Sequence, residues 1–197
     1  MAATISGGSL GRWFEQLCRI KHTQLRSIVT DNNEALRPNQ LPRQGGVYAF
    51  WWTGNYDLLT RRNRDLVLHG PGGRDVHLAI DDDWLGLATG LPVPLYVGKN
   101  ADSIASRVGK HLRLKDVRML PLGGDAKKAE RPTTSCQLRG GVEHLFPDEE
   151  DTRTLILDNV GLSYVKLDDD AHAANRFYLE DLAIGLMHPP LNVDVER

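Results

Sequence analysis

One short segment of the sequence combines an apolar run with cationic side chains that have no ordinary place in a protein core. In PLYVGKNADSIASRVGKHL, a strand-like run and a glycine are followed by a helical pattern over about residues 102–114. At helical spacing, Arg107 and His111 share the inward face with Ile104 and Val108. An arginine can clamp phosphate oxygens and a histidine can relay a proton. A lone histidine at such a position is more often structural, so both interpretations stay open for this helix.

A second charged residue lies where the last helical pattern should be buried. Over about residues 171–187, Glu180 stands in the middle of an apolar stripe formed by Ala173, Phe177, Ile184 and Met187. An isolated buried carboxylate is costly or becomes neutral, so Glu180 needs a partner. It either forms a salt bridge with an arginine such as Arg107 or binds a hard divalent cation such as Mg²⁺.

Two strand patterns supply tyrosines near these charges. Residues 46–52, GVYAFWW, are apolar on both faces, which predicts a central strand carrying Tyr48. A second strand over 94–98 carries Tyr96 and is followed by Lys99. The other expected elements are an amphipathic helix over 9–29, a short helix over 136–145, an extended run over 152–158 and a strand over 161–167.

Bulk composition restricts the class of protein. The chain has 197 residues, 41% apolar and 25% charged, which is typical of a globular domain rather than a disordered or membrane protein. No apolar run is long enough to span a membrane, and no signal-peptide pattern is present at the start, so a cytoplasmic location is expected. The two cysteines, Cys18 and Cys136, have no metal-site or disulfide spacing and are expected to be reduced.

The charge of the chain is nearly balanced but locally uneven. A formal net charge of −2 removes the simplest argument for nucleic-acid binding, which is a strongly basic chain. Between residues 99 and 118, however, six cations face two acids, giving a local charge of +4; the cations are Lys99, Arg107, Lys110, Arg113, Lys115 and Arg118. Nucleic-acid binding would therefore depend on a local patch.

Read in order, the segments GGVYAF, LYVGK, SIASRVGKHL and FYLEDLAIGLMHPPLN resemble the GIY-YIG nuclease superfamily. The two tripeptides that name the family correspond here to GVY at residues 46–48 and YVG at residues 96–98. The family's helix arginine corresponds to Arg107, the histidine four residues on to His111, its metal-binding glutamate to Glu180 and its terminal asparagine to Asn192. The long segment between the tripeptides is most similar to the restriction-endonuclease branch.

The resemblance implies an α/β fold of the α+β type, with a small central, mainly antiparallel β-sheet flanked by helices. Residues 1–40 would form an N-terminal helical extension, and residues 41–197 a catalytic domain with an insertion at about 53–92. The implied activity is metal-dependent hydrolysis of DNA phosphodiester bonds, of restriction or defence type, with Mg²⁺ or Mn²⁺ as cofactor.

The resemblance also implies a role for each matched residue. Tyr48 would orient or deprotonate the attacking water, helped by Lys99 or by His111 as a proton relay. Arg107 would clamp the scissile phosphate, and Tyr96 would hold a phosphate oxygen or support the metal's water. Glu180 would bind the metal, and the Asn192 amide would fix the loop beside the site. Each of these residues also has an ordinary structural interpretation.

DNA would be the macromolecular partner, bound by cations outside this set. Arg61, Arg62 and Arg64 of the insertion are candidate contacts, with Arg74 nearby, as are Lys110 and Arg113 of the cationic segment. A palindromic target would require a homodimer. Two other functions remain open, namely a structure-specific repair or recombination nuclease that works as a subunit of a complex, and a catalytically silent nucleic-acid-binding module. The distinction between DNA and RNA also stays open.

Overall fold

An antiparallel sheet with helices on both faces forms the centre of the molecule. The computed structural model describes residues 7–19, 22–29, 40–69, 75–86, 91–112, 137–168 and 172–192. Its elements are, in chain order, α1 (Gly7–Arg19), β1 (Thr23–Gln24), α2 (Leu25–Ile28), β2 (Gly46–Trp52), α3 (Tyr56–Thr60), β3 (Asp65–His69), β4 (Asp75–Ala79), β5 (Val93–Asn100), α4 (Ile104–His111), α5 (Gln137–Leu145), α6 (Thr152–Asn159), β6 (Val160–Lys166) and α7 (Ala173–Met187).

The four strands of the main sheet lie in the order β1, β6, β2, β5, and every neighbouring pair is antiparallel. All seven residues of β2 are buried, because strands flank it on both sides and helices cover both of its faces. The predicted central position of residues 46–52 is therefore confirmed, as is the prediction of an α+β fold built on a small antiparallel sheet.

The two faces of β2 contribute to two separate hydrophobic clusters. Tyr48, Phe50 and Trp52 belong to the larger cluster, which also contains apolar residues of α2, α4, α5 and α6. Val47, Ala49 and Trp51 belong to the smaller cluster, which is covered by α1 and α7. Since side chains alternate along a strand, each residue of β2 is assigned to one face by its position alone.

The N-terminal region differs from the predicted continuous helix over 9–29. Helix α1 ends at Arg19, and the chain then forms β1, which pairs with β6 through Thr23 and Leu162. The apolar periodicity of the sequence continues past residue 19 because α1 and α2 each bury an apolar face. It gives no sign that β1 interrupts the helix to pair with the sheet. Leu17 of α1 lies in the smaller cluster, whereas Ile28 of α2 lies in the larger one. Ile20, which the prediction included, lies outside the described residues.

The chain between β2 and β5 builds its own local structure. It contains α3 and a separate two-stranded antiparallel sheet formed by β3 and β4. Leu59 and Leu66 from this segment are completely buried and join the larger cluster. The inserted elements therefore pack onto the core instead of extending away from it.

Residues 152–158 form a helix, so the predicted extended run was wrong. The Asp151 side chain accepts a hydrogen bond from the backbone N–H of Thr154 at 3.0 Å, which is a standard helix N-cap. Leu155, Ile156 and Leu157 are all buried, and this continuous apolar run concealed the helical pattern in the sequence. The short helix expected over 136–145 is confirmed as α5.

The last helix has the predicted extent but a different buried face. Helix α7 ends at Met187, and His188 then adopts a left-handed conformation with φ of 46° just before two prolines. Glu180 is buried, as expected, but Phe177 is 53% exposed and the buried face runs through Leu179 and Ala183 instead. Among the described residues, no helix is both long enough and apolar enough to cross a membrane.

Asn159 connects α6 to the turn that follows β2, and we expect its replacement to destabilise the fold. Its Oδ1 accepts the backbone N–H of Asn55 at 2.9 Å, and its Nδ2 donates to the carbonyl of Leu155 at 2.9 Å. Asn159→Ala should lower the free energy of unfolding in urea by about 2 kcal/mol, because the part-buried Asn55 N–H loses its acceptor and the buried side-chain bond to the Leu155 carbonyl is lost. Gln16→Ala, which removes an exposed amide on α1, is the control. Equal stability of the two variants would contradict this role.

Candidate active site

A tight turn joins β5 to α4 and places the helix over the tyrosine-bearing face of the sheet. The Asn100 Oδ1 accepts the backbone N–H groups of Asp102 at 2.9 Å and Ser103 at 2.6 Å. The Ser103 hydroxyl then caps α4 by accepting the N–H of Ser106 at 3.1 Å. Because the turn is fixed by these polar side chains, the helix starts at one defined residue and directs Arg107 and His111 toward β2 and β5.

The pairing of β2 with β5 brings the two tyrosines together. Tyr48 lies opposite Gly98, and the rings of Tyr48 and Tyr96 are 6.4 Å apart between centroids. A Cβ atom at Gly98 would lie 2.6 Å from the Tyr48 hydroxyl oxygen and 2.9 Å from Cε1 of Tyr96. Glycine is therefore required at residue 98 because the two phenols fill the space that any side chain would need.

His111 is hydrogen-bonded to Tyr48 inside the protein. The Tyr48 hydroxyl oxygen and the His111 Nε2 are 3.0 Å apart, and His111 is 2% exposed. Burial, and then the neighbouring Arg107 charge, lowers the pKa of His111 to about 3. The imidazole is consequently neutral near pH 7, and in the tautomer that carries its proton on Nδ1 the Nε2 can accept the Tyr48 O–H. Among the described residues, no group hydrogen-bonds to the buried Nδ1.

Arg107 is the cation beside both phenols. Its guanidinium is hydrogen-bonded to Tyr48 and to Tyr96. Burial lowers the pKa of Arg107, but its electrostatic interactions and hydrogen bonds with the two phenols outweigh this and leave the pKa raised. A half-buried guanidinium stays charged at any ordinary pH and attracts an anion.

The two phenols remain protonated in the free protein. Burial raises the pKa of Tyr48, the neighbouring Tyr96 raises it further, and Arg107 only partly opposes these effects. Burial likewise raises the pKa of Tyr96. A free phenolate is therefore disfavoured, so any proton transfer through Tyr48 has to involve an adjacent acceptor. The His111 Nε2 is such an acceptor.

Glu180 forms an ion pair with Lys99, which resolves the question that the sequence raised about its partner. The Lys99 Nζ contacts the Glu180 Oε2, and the two side chains are only 17% and 9% exposed. The salt-bridge interpretation had suggested an arginine such as Arg107, whereas the partner is a lysine of β5. The Lys99 Nζ also lies 4.2 Å from the centroid of the Phe177 ring.

Glu180 is the carboxylate of this site that could take part in holding a magnesium ion if Lys99 were displaced. The described residues contain no group of three histidine, cysteine or acidic side chains that could enclose a metal. Magnesium, however, is commonly bound by one or two carboxylates together with waters and substrate phosphates. The single Glu180 carboxylate is sufficient for that mode, in which most of the coordination comes from water and substrate.

Asn192 holds the outer edge of β5. Its Nδ2 donates to the carbonyl of Val97, and its Oδ1 accepts the N–H of Val97, both at 2.7 Å. The amide was expected to fix the loop beside the site, and its contacts are instead with the strand itself. Because Val97 lies between Tyr96 and Gly98, this clamp positions the part of β5 that carries the second tyrosine.

The predicted DNA contacts fall into different environments. Arg62 is 4% exposed, and its guanidinium donates to the backbone carbonyls of Ile80 and Asp81 and to the Asp82 carboxylate. It anchors the insertion and is not presented to a ligand, which corrects its predicted role. The cations that remain on the surface are Arg61, Arg64 and Lys110, with Arg64 paired to Asp82 at 3.1 Å. Arg113 and Arg74 lie outside the described residues.

Sequence reasoning missed Phe177 as a neighbour of the site. It had been placed in the buried stripe of α7, whereas its exposed ring faces the Lys99 ammonium. The available signal was its position three residues before Glu180, which puts both side chains on one side of the helix. Finding the contact also required the packing of α7 against β5, which no local pattern contains.

We expect Gly98→Ala to disrupt the tyrosine pair. The added methyl group would overlap the Tyr48 hydroxyl and break its hydrogen bond to His111, lowering the free energy of unfolding by about 2 kcal/mol. The matched control is Gly185→Ala on α7, where an added Cβ has no atom within 4 Å and should leave stability equal or higher. Urea denaturation measures both. A neutral Gly98→Ala would contradict the proposed packing.

The low pKa of His111 predicts a specific acid sensitivity. Between its usual pKa of 6.5 and about 3, the unfolded chain binds a proton at His111 that the folded chain does not. The free energy of unfolding should therefore decrease as the pH is lowered through that window, by up to about 1.4 kcal/mol per pH unit from this group. Denaturation of the wild type and of His111→Phe at several pH values tests this. The variant should lose less stability on acidification, and parallel profiles would contradict a neutral His111.

In comparisons of this chain with protein-family models, curated proteins and solved structures, no match was found. The case for a catalytic site is therefore made by the arrangement of its side chains. Two phenols, a neutral imidazole and a guanidinium share one face of the sheet, and a buried carboxylate lies near them.

Proposed function

We propose that this protein is a metal-dependent endonuclease of the GIY-YIG type, which hydrolyses phosphodiester bonds in DNA. The observation that carries the proposal is the buried hydrogen bond between Tyr48 and His111, next to an arginine that contacts both phenols. Packing of the hydrophobic core does not require any of these polar groups. Their order along the chain is that of the family that the sequence resembles.

This set of side chains suits the hydrolysis of a phosphodiester. The scissile phosphate is an anion whose charge grows in the transition state, and the planar Arg107 guanidinium can hold two of its oxygens at once. Tyr96, which is hydrogen-bonded to Arg107, can contact the same phosphate. The reaction also needs a group that removes a proton from the attacking water.

The Tyr48–His111 pair supplies that proton transfer. As water attacks phosphorus, its proton moves to the Tyr48 oxygen while the Tyr48 proton moves to the His111 Nε2. The new bond joins the water oxygen to phosphorus, the bond from phosphorus to the leaving oxygen breaks, and the leaving oxygen takes a proton from bulk water. This concerted relay avoids a free phenolate, which the raised pKa of Tyr48 disfavours. The nearby phosphate charge stabilises the imidazolium that forms.

Because Tyr48 has no exposed surface in the free protein, substrate binding must open its hydroxyl to the attacking water. Glu180 would hold magnesium together with phosphate oxygens, and the ion would stabilise negative charge on the phosphate and the leaving oxygen.

The surface cations Arg61, Arg64 and Lys110 are the proposed contacts to DNA phosphates. Restriction or defence is the proposed role, and a homodimer is proposed for a palindromic target.

The decisive experiment is cleavage of plasmid and phage DNA by the wild type, Glu180→Gln and Asp181→Asn. With Mg²⁺ the wild type should cut, with EDTA it should not, and Glu180→Gln should be slower by about 100-fold or more, because the metal loses its protein ligand. Asp181→Asn removes an exposed carboxylate from the next residue of the same helix and should retain the wild-type rate.

The products separate the remaining possibilities. Discrete fragments would indicate sequence-specific cleavage, and a smear would indicate a non-specific or structure-selective nuclease. Intact DNA with all three proteins would contradict the proposal. If gel-shift measurements then showed DNA binding, the catalytically silent binding module would replace the nuclease as the best account of the site.

A further inference from the structure

The ammonium group of Lys99 is held from two directions by side chains of α7. The Glu180 carboxylate binds it directly, and the face of the Phe177 ring lies 4.2 Å from the Nζ. Phe177 and Glu180 are three residues apart on the helix, so a single turn presents both groups to β5. The three side chains form a closed arrangement, which we term the lysine clamp.

The position of Phe177 needs an explanation beyond packing. Its side chain is 53% exposed, although α7 buries a different face through Leu179 and Ala183. A half-exposed phenylalanine contributes little to the core, whereas its ring face attracts a cation electrostatically. The ammonium of Lys99, which lies over the ring, explains the position of Phe177.

The lysine clamp conflicts with metal binding at the same carboxylate. A divalent cation at Glu180 would lie against the Lys99 ammonium, and the two positive charges would repel each other in a largely buried place. Only one cation can therefore neutralise Glu180 at a time. In the free protein that cation is Lys99.

We infer that Lys99 is a built-in competitor of the metal at Glu180, and that Phe177 is the residue that positions it there. This inference rests on the proposed function in taking Glu180 as the metal ligand. The free protein would then bind divalent metal weakly. A DNA phosphate would draw the Lys99 ammonium onto its own oxygens, which releases Glu180 and adds phosphate ligands, so metal and DNA would bind together.

The test measures Mn²⁺ binding without DNA, from the loss of the paramagnetic resonance signal of free Mn²⁺. Lys99→Met removes the competing charge and keeps most of the side chain, so its Kd for Mn²⁺ should fall at least about tenfold below that of the wild type. Adding Glu180→Gln to Lys99→Met should abolish the gain, because the freed carboxylate is the ligand.

Variants of the ring test the role of Phe177 without touching a charged group. Phe177→Leu should tighten Mn²⁺ binding by about threefold, since the ammonium is held less firmly, and Phe177→Trp should restore weak binding because indole attracts cations more strongly. Tyr178→Leu is the matched control. Tyr178 is 50% exposed at the next residue of α7 and should have no effect on Mn²⁺ affinity.

The outcomes distinguish this inference from the proposed function. If neither Lys99→Met nor Phe177→Leu binds Mn²⁺ more tightly than the wild type, competition at Glu180 is refuted, even if the wild type cleaves DNA. Tighter binding that depends on Glu180 supports the lysine clamp, even if no DNA is cleaved. A tighter Lys99→Met together with an unchanged Phe177→Leu would keep the competition and remove the role assigned to Phe177.

Discussion

The antiparallel pairing of β2 with β5 is the constraint on which the candidate site depends. It sets Tyr48 opposite Gly98, so the space that a side chain would have taken is filled by phenol rings. A register shift of one residue would turn Tyr48 toward the opposite face of the sheet, away from His111. The complete burial of β2 opposes such a shift, because it would exchange the residues of two hydrophobic clusters. The core of the protein thus fixes the geometry of its polar site.

The same strand also divides the chemistry of the site between the two faces of the sheet. Tyr96 and the gap at Gly98 face α4, where Arg107 and His111 lie, while Lys99 reaches Glu180 on α7. The hydrogen-bonded Tyr48–His111 pair and the Lys99–Glu180 ion pair thereby lie on two sides of β5, which is an edge strand of the sheet. A phosphate at that edge could contact both sets of groups. Neither α4 nor α7 alone carries a complete site.

The sequence predicted the parts of the fold that local pattern controls. Strand 46–52 and the last helix were recognisable because their apolar periodicity and flanking prolines or glycines are strong. The extended run predicted over 152–158 was wrong, since a continuous apolar run does not distinguish a buried helix from a strand. The predicted helix over 9–29 was interrupted by a strand whose partner, β6, lies far along the chain.

The candidate residues were recognisable by type but not by partner. A carboxylate in an apolar helix must be paired, and this physical rule correctly required a partner for Glu180. It did not indicate Lys99, because the approach of β5 to α7 is a tertiary contact. Similarly, Arg62 had the composition of a surface cation, yet three acceptors of the chain between β4 and β5 enclose its guanidinium. Charge can be read from a sequence, whereas burial of that charge depends on packing.

The amide of Asn192 has a consequence for assembly. An edge strand with free N–H and C=O groups can extend its sheet into a second molecule. On β5, the Asn192 side chain already occupies both groups of Val97, and the Leu191 N–H occupies the carbonyl of Leu95 at 3.1 Å. Two copies of the chain therefore cannot join into a continuous sheet through this part of β5.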